Sequence, residues 1–267
     1  MSVPGAHLEA MVAIARSAGA AIMEVYGTAF DVAQKADRSP LTEADRRAHE
    51  IIVAGLTEFD PDTPILSEES APREIEGRAG WQRYYLVDPL DGTKEFVKRN
   101  GEFTVNIALV ENHRAVCGAV HAPALALEYW GALELGAFRA EGEERAEPIR
   151  VRSPASDPAR VVGSRSHGGT SLERFLDRLG PHQLVPMGSS LKICLVAAGE
   201  ADVYPRLGPT SEWDTAAAQA ILESAGGYMI DLEGQPLRYN TRGDLLNPFF
   251  LACGDRWQHY LALAQDD

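Results

Sequence analysis

The chain has 267 residues, 45% of them hydrophobic and 24% charged, which is enough for a large buried core in one globular unit or two closely joined halves. A formal net charge of -14 argues against a nucleic-acid polymer as partner, since phosphate backbones are gripped by concentrated basic surface; a small anion stays compatible if metal ions supply the positive charge. No apolar run approaches the roughly 20 residues of a membrane span, and the first residues lack a basic segment leading into an apolar one, so no transmembrane segment and a cytoplasmic location are expected.

Apolar residues at Leu8, Met11, Val12, Ala15, Ile22, Met23 and Tyr26 recur with helical period, and Gly27 follows, which predicts a helix over 8–26. Ala48, Ile51, Ile52, Leu56 and Phe59 form a second stripe over 42–59, stopped by Pro61. A Pro- and Glu-containing loop over 61–80 leads into Tyr84-Tyr85-Leu86-Val87, a buried strand that runs into the turn Asp88-Pro89. Runs over 103–110, 115–121, 127–133 and 137–140 read as an antiparallel meander. The stretch 152–158, with two prolines and two serines, is the best boundary between halves. Beyond it the pattern interleaves: strands over 160–164, 183–186, 201–205, 227–231 and 249–253, and helices over 171–179, 190–198, 213–224 and 256–264. A layered α/β arrangement follows, more antiparallel in its first half. Cys117, Cys194 and Cys253 are odd in number, far apart and set in apolar surroundings, so they read as reduced core residues.

Carboxylates stand at Asp45, at Glu68-Glu69, at Asp88 with Asp91, and at Asp214. Taken singly, each has a structural explanation as a helix-start residue, a solvated loop or a turn. Together they point elsewhere. Pro89 stiffens the link between Asp88 and Asp91, so the two carboxylates can converge, and converging like charges repel unless one protonates or a cation sits between them. Oxygen-only ligands select a hard cation, and Mg²⁺ is the commonest available; the seven histidines are scattered, which disfavours zinc. Gly92 permits close approach, and the Gly92 and Thr93 amides point at an anion if they open a short helix. No Gly-x4-Gly-Lys-Ser/Thr loop is present.

The runs Leu86-Val87-Asp88-Pro89-Leu90-Asp91-Gly92-Thr93 and Glu212-Trp213-Asp214-Thr215-Ala216-Ala217, with Leu66-Ser67-Glu68-Glu69-Ser70, resemble the signatures of the lithium-sensitive, magnesium-dependent phosphatases related to inositol monophosphatase. Within that superfamily the likeness is closer to the CysQ type of 3'(2'),5'-bisphosphate nucleotidase, and it covers nearly the whole chain. It rests on Lys35-Ala36-Asp37, Ser39-Pro40-Leu41-Thr42, Lys94-Glu95-Phe96, Gly101 to Ala108, Gly188-Ser189-Ser190-Leu191-Lys192 and Tyr204 to Thr210. The resemblance implies an αβαβα layered sandwich, with a metal- and phosphate-binding part over 1–150 and a substrate-binding part over 151–267 that adds Asp214 to one catalytic unit.

It also implies site roles. Glu68, Asp88 and the carbonyl of Leu90 would hold one Mg²⁺, and Asp88, Asp91 and Asp214 a second, with two or three ions in all. Glu69 is the less defined member of its pair. Asp45, Thr93 and Glu68 would be catalytic, Thr93 with Asp45 orienting and helping to deprotonate a metal-activated water for direct in-line attack. Gly92 and Thr93 would hold the scissile phosphate, and Ser164, Arg165, His167, Lys192 and Asp214 would contact the substrate, Arg165 and Lys192 gripping the phosphate that is not cleaved. The implied partner is a small nucleotide bisphosphate, adenosine 3',5'-bisphosphate or its sulfated relative, cleaved at the 3'-phosphate, with inhibition by lithium and calcium. An inositol or sugar monophosphatase and a non-catalytic phosphate sensor are the alternatives. A homodimer and a peripheral attachment to the inner membrane stay open, and no amphipathic basic helix speaks for the latter.

Overall fold

The computed structural model describes residues 3–28, 40–164 and 170–265. In chain order the first part contains α1 (Val3–Tyr26), α2 (Pro40–Phe59), β1 (Ile65–Ser67), β2 (Arg83–Asp91), α3 (Thr93–Lys98), β3 (Thr104–Glu111), β4 (Arg114–Ala122), β5 (Leu127–Ala132), β6 (Gly136–Glu141) and β7 (Glu147–Ile149). The second contains β8 (Ala159–Ser164), α4 (Thr170–Leu179), β9 (His182–Met187), α5 (Leu191–Ala197), β10 (Val203–Arg206), α6 (Ala216–Ser224), β11 (Tyr228–Asp231), β12 (Phe250–Cys253) and α7 (Trp257–Gln265). The strands form a seven-stranded sheet in the order β1 to β7, antiparallel except for the parallel pair β1 and β2, and a five-stranded mixed sheet in the order β11-β12-β10-β8-β9.

Both faces of the first sheet are covered, and the alternation of its central strands shows how. Tyr85 and Val87 of β2, with Ile107 and Leu109 of β3, face Met11, Ile22, Ile52 and Leu56 of α1 and α2. Their neighbours Tyr84, Leu86, Ala108 and Val110 face the other way, into a core shared with α5 and α6. Two buried faces explain why 84–87 and 103–110 read as nearly unbroken apolar runs rather than as alternation. Small residues let α6 approach closely. Gly118 of β4 lies so near this helix that a Cβ built on it would fall 2.3 Å from the carbonyl oxygen of Ala217. The second sheet covers the far side of α5 and α6, and its own outer face packs on α4 and α7 through Val161, Phe175, Leu251 and Tyr260. The layers therefore run helix, sheet, helix, sheet, helix, the αβαβα order expected.

Several elements depart from expectation. β1 and β7 arise where no strand was predicted, because three residues are too few to show a period. β2 does not turn at Asp88-Pro89 but continues to Asp91. The helix expected over 213–224 is split, with a 3-10 turn at Glu212–Asp214 preceding α6. Cys117, Cys194 and Cys253 are buried free thiols, as expected. Among the described residues no helix is long and apolar enough to cross a membrane.

Candidate active site

Asp88 and Asp91 are three residues apart, and in a regular strand they would point to opposite faces. A bulge changes this. Asp88 pairs with Asn106 and Asp91 with Thr104, so two residues of β2, Pro89 and Leu90, oppose one residue of β3. The extra residue turns both carboxylates to the same end of the sheet, and Leu90 donates its amide to Asp88 Oδ1 at 3.0 Å. Asp214, on its 3-10 turn, completes the group: oxygen atoms of Asp88, Asp91 and Asp214 all lie within 4.8 Å of one another.

The remaining expected acids gather around these. Glu68 follows β1, whose parallel pairing with β2 carries it alongside Val87; its amide donates to Val87 O at 3.1 Å. Its carboxylate hydrogen-bonds with Trp213 and with Asp88. Asp45, half-buried on α2, hydrogen-bonds with Glu69. Thr93 opens α3 on the exposed side, and Gly92 precedes it with φ 96°, where a Cβ would lie 3.0 Å from Glu102 O. The condition set on the Gly92 and Thr93 amides, that they open a short helix, is met.

These carboxyl groups strain against one another. Burial, then Asp91, Asp214, Glu68 and Asp45, raise Asp88 well above the ordinary carboxyl range. Burial and then Asp91 push Asp214 up to about 7, and burial followed by Glu69 and Glu68 pushes Asp45 up to about 8. Asp91 is also raised by burial, though Lys192, the hydrogen bond from the Ser190 amide and the nearby Asn106 side chain oppose it. A cluster of oxygen donors that must otherwise take up protons is the donor set a hard divalent cation satisfies. The residues present fit such an ion.

The cleft beside the acids is lined on its far wall by Ser189, Lys192, Tyr204, Arg206 and Thr210. Lys192 is drawn in from α5, with its Nζ 5.6 Å from the centre of the Tyr204 ring. Ser164 closes β8, while Arg165 and His167 lie outside the described residues, as do 35–39. Sequence reasoning passed over the groups that hold Asp91. Ser190 donates its amide to Asp91 Oδ2 at 2.6 Å, and its hydroxyl donates to Asn106 Oδ1 at 2.8 Å and meets Thr104 Oγ1 at 2.9 Å. It also missed Tyr204 and Arg206, although the run containing them carried part of the resemblance. A second-layer hydroxyl has no spacing rule that would mark it.

The family model described as the inositol monophosphatase family matches residues 6–265. The 3'(2'),5'-bisphosphate nucleotidase CysQ of Escherichia coli strain K12 is 51% identical over 245 residues, which is 91% of this chain and 98% of that protein. The CysQ of Haemophilus influenzae is 35% identical over 93% of each. Among solved structures, CysQ from Bacteroides thetaiotaomicron superposes with a TM-score of 0.86 at 42% identity, covering 96% of this chain and 99% of that one. The inositol monophosphatase from Anabaena shares the fold with a TM-score of 0.76 at 23% identity, over 98% and 96% of the two chains. On the bulged β2 motif, the Asp214 turn and these likenesses, the chain belongs to the inositol monophosphatase family.

Proposed function

We propose that the chain is a phosphoric monoester hydrolase that removes the 3'-phosphate of adenosine 3',5'-bisphosphate and of its sulfated relative, using Mg²⁺. The observation that carries this reading is the convergence of Asp88, Asp91 and Asp214 within 4.8 Å beside a cleft whose other wall presents Lys192 and Arg206. An anionic cluster that takes metal on one side and cations on the other suits a substrate with two phosphates, one held at each wall. The likeness to CysQ proteins at 51% and 42% identity supports the choice of nucleotide.

Glu68, Asp88 and the Leu90 carbonyl would hold one ion, and Asp88, Asp91 and Asp214 another. When bound, the ions supply Lewis-acid charge to the attacking and leaving oxygens. Asp88 and Asp91, fixed by the bulge, set the position of that charge before substrate arrives. Thr93, exposed at the start of α3, orients the attacking water. Asp45, held on α2 and hydrogen-bonded with Glu69, assists Thr93 in taking a proton from that water. The Gly92 and Thr93 amides receive the scissile phosphate. The part up to residue 150 supplies these groups, and the part from 151 adds Asp214, Lys192 and the nucleotide wall.

A phosphate-release panel in Mg²⁺ tests the reading, comparing adenosine 3',5'-bisphosphate, inositol 1-phosphate, fructose 1,6-bisphosphate and AMP. Fastest turnover of the first supports it. Preference for inositol 1-phosphate or fructose 1,6-bisphosphate would overturn the nucleotide assignment.

A further inference from the structure

We infer that Asn247 is a positioning residue for Asp214: a single buried amide group that ties together both ends of the short turn carrying this carboxylate and so fixes where it meets the metal. The inference rests on the reading of Asp214 as a metal ligand given above.

Asp88 and Asp91 are set by the ladder of a sheet, but Asp214 is not. It stands on the 3-10 turn Glu212–Asp214, an element with few hydrogen bonds of its own. The turn's internal bonds include Asp214 N to Ser211 O at 3.2 Å, Thr215 N and Oγ1 to Glu212 O at 3.3 and 3.1 Å, and Ser211 N to Asp214 Oδ2 at 2.9 Å, the last holding one carboxylate oxygen directly. The position of Asp214 therefore depends on where Ser211 and Thr215 are held.

Asn247 holds them both. Its Nδ2 donates to Ser211 O at 2.7 Å on one side of Asp214 and to Thr215 Oγ1 at 3.1 Å on the other, with Thr210 Oγ1 a third acceptor at 3.2 Å. Its own amide N donates to Thr210 O at 2.9 Å, and the adjacent Leu246 bridges Ser211. Asn247 is 7% exposed. Its Oδ1 is buried and has no hydrogen-bond partner among the described residues, a cost the fold accepts for the sake of the two N–H donors. Reversing the amide would place Oδ1 against the Ser211 carbonyl, so the acceptors fix its orientation.

Glu212 spans the turn through its backbone carbonyl, which accepts from Thr215 N at 3.3 Å and Thr215 Oγ1 at 3.1 Å, and its carboxylate secures the turn from a second direction. Both of its oxygens accept the Asn240 amide, at 2.9 and 2.8 Å, and Asn240 is held in turn by Arg78. Asn247, from outside the turn, hydrogen-bonds both Ser211 and Thr215.

Partners behind a metal ligand act on metal affinity, typically by about 10- to 100-fold when removed. Asn247→Leu keeps the approximate volume and deletes the donors without adding charge. In the full chain stripped of metal, calorimetric titration with Mg²⁺ is expected to show a dissociation constant raised by about tenfold or more. At saturating Mg²⁺ the KM for adenosine 3',5'-bisphosphate is expected to stay within about twofold of the parent, because Lys192 and Arg206 of the cleft wall make no bond to Asn247 and Thr210 keeps its backbone bond to it. A lowered melting temperature with parental Mg²⁺ affinity would overturn the inference and leave Asn247 a packing residue. If Asn247→Leu does not fold, Asn247→Ala deletes the same donors without adding bulk; Mg²⁺ binding weakened by about threefold or more supports the inference, and unchanged affinity overturns it. A parent chain that binds no Mg²⁺ would overturn the ligand reading of Asp214 and this inference together.

Discussion

The backbone amide of Ser190 donates to Asp91 Oδ2 at 2.6 Å, joining the start of α5 to the carboxylate that the β2 bulge turns inward. The two residues are 99 positions apart, and the bond ties the start of α5 to a carboxylate on β2. The hydroxyl of the same residue is buried between Asn106 and Thr104.

Ser190→Ala keeps the amide and loses the hydroxyl. Two buried partners are then left short, so stability is expected to fall by about 1–3 kcal/mol, measured by chemical denaturation. Turnover is expected to fall far less than on altering Asp91 itself, since the amide that meets Asp91 remains. Unchanged stability would mean that water replaces the hydroxyl without cost.

Asp91→Asn keeps the shape and removes the charge. Turnover at saturating Mg²⁺ is expected to drop by at least about a hundredfold, the scale of losing one preorganised charge contact. The variant is expected to fold, because removing one carboxylate from the cluster relieves repulsion. Near-parental turnover would remove Asp91 from the centre.

These acids were legible from sequence because strand, Pro89 and spacing suggested convergence, and the resemblance added Glu68, Asp45 and Asp214. What was not legible was the means. A turn at Asp88-Pro89 was the natural expectation, whereas the strand continues and a bulge opposite Val105 does the re-aiming, which only pairing with β3 reveals. In the same way Asp214 read as a first-turn helix residue, but the chain pauses in a 3-10 turn before α6. Its placement depends on Asn247 and Asn240, both distant in sequence. The αβαβα order followed from helices and strands whose apolar periods are long. β1, three residues long, lay hidden in an apparent loop although it carries Glu68 to the site.

Gly118 sets the distance between the first sheet and α6. A side chain there would collide with backbone, the Ala217 carbonyl, rather than with a movable side chain. Gly118→Val is expected to cost about 1–3 kcal/mol or more through overpacking, read as a lower melting temperature. Because α6 follows the Asp214 turn directly, Mg²⁺ affinity is expected to weaken as well. A stable variant with unchanged affinity would show that the helix position is not what fixes the turn.

Metal and protons compete for the cluster. In the metal-free protein Asp214 is pushed up to about 7 and Asp45 up to about 8, from an ordinary 3.8. A carboxyl group raised in the folded state contributes stability that is full below its ordinary value and is lost as pH rises through its folded value. The metal-free chain is therefore expected to lose melting temperature from these groups between about pH 4 and pH 8. Mg²⁺ offsets the exposed repulsion, so the rise in melting temperature on adding Mg²⁺ is expected to be larger near pH 8 than near pH 5. A rise independent of pH would contradict this coupling.

The acidic centre is expected to cleave one particular phosphate of a bisphosphate nucleotide. Phosphorus NMR of adenosine 3',5'-bisphosphate incubated with the enzyme and Mg²⁺ identifies the product directly. Inorganic phosphate together with adenosine 5'-monophosphate is the expected result; accumulation of adenosine 3'-monophosphate, or an unreacted nucleotide under conditions where inositol 1-phosphate is consumed, would contradict it.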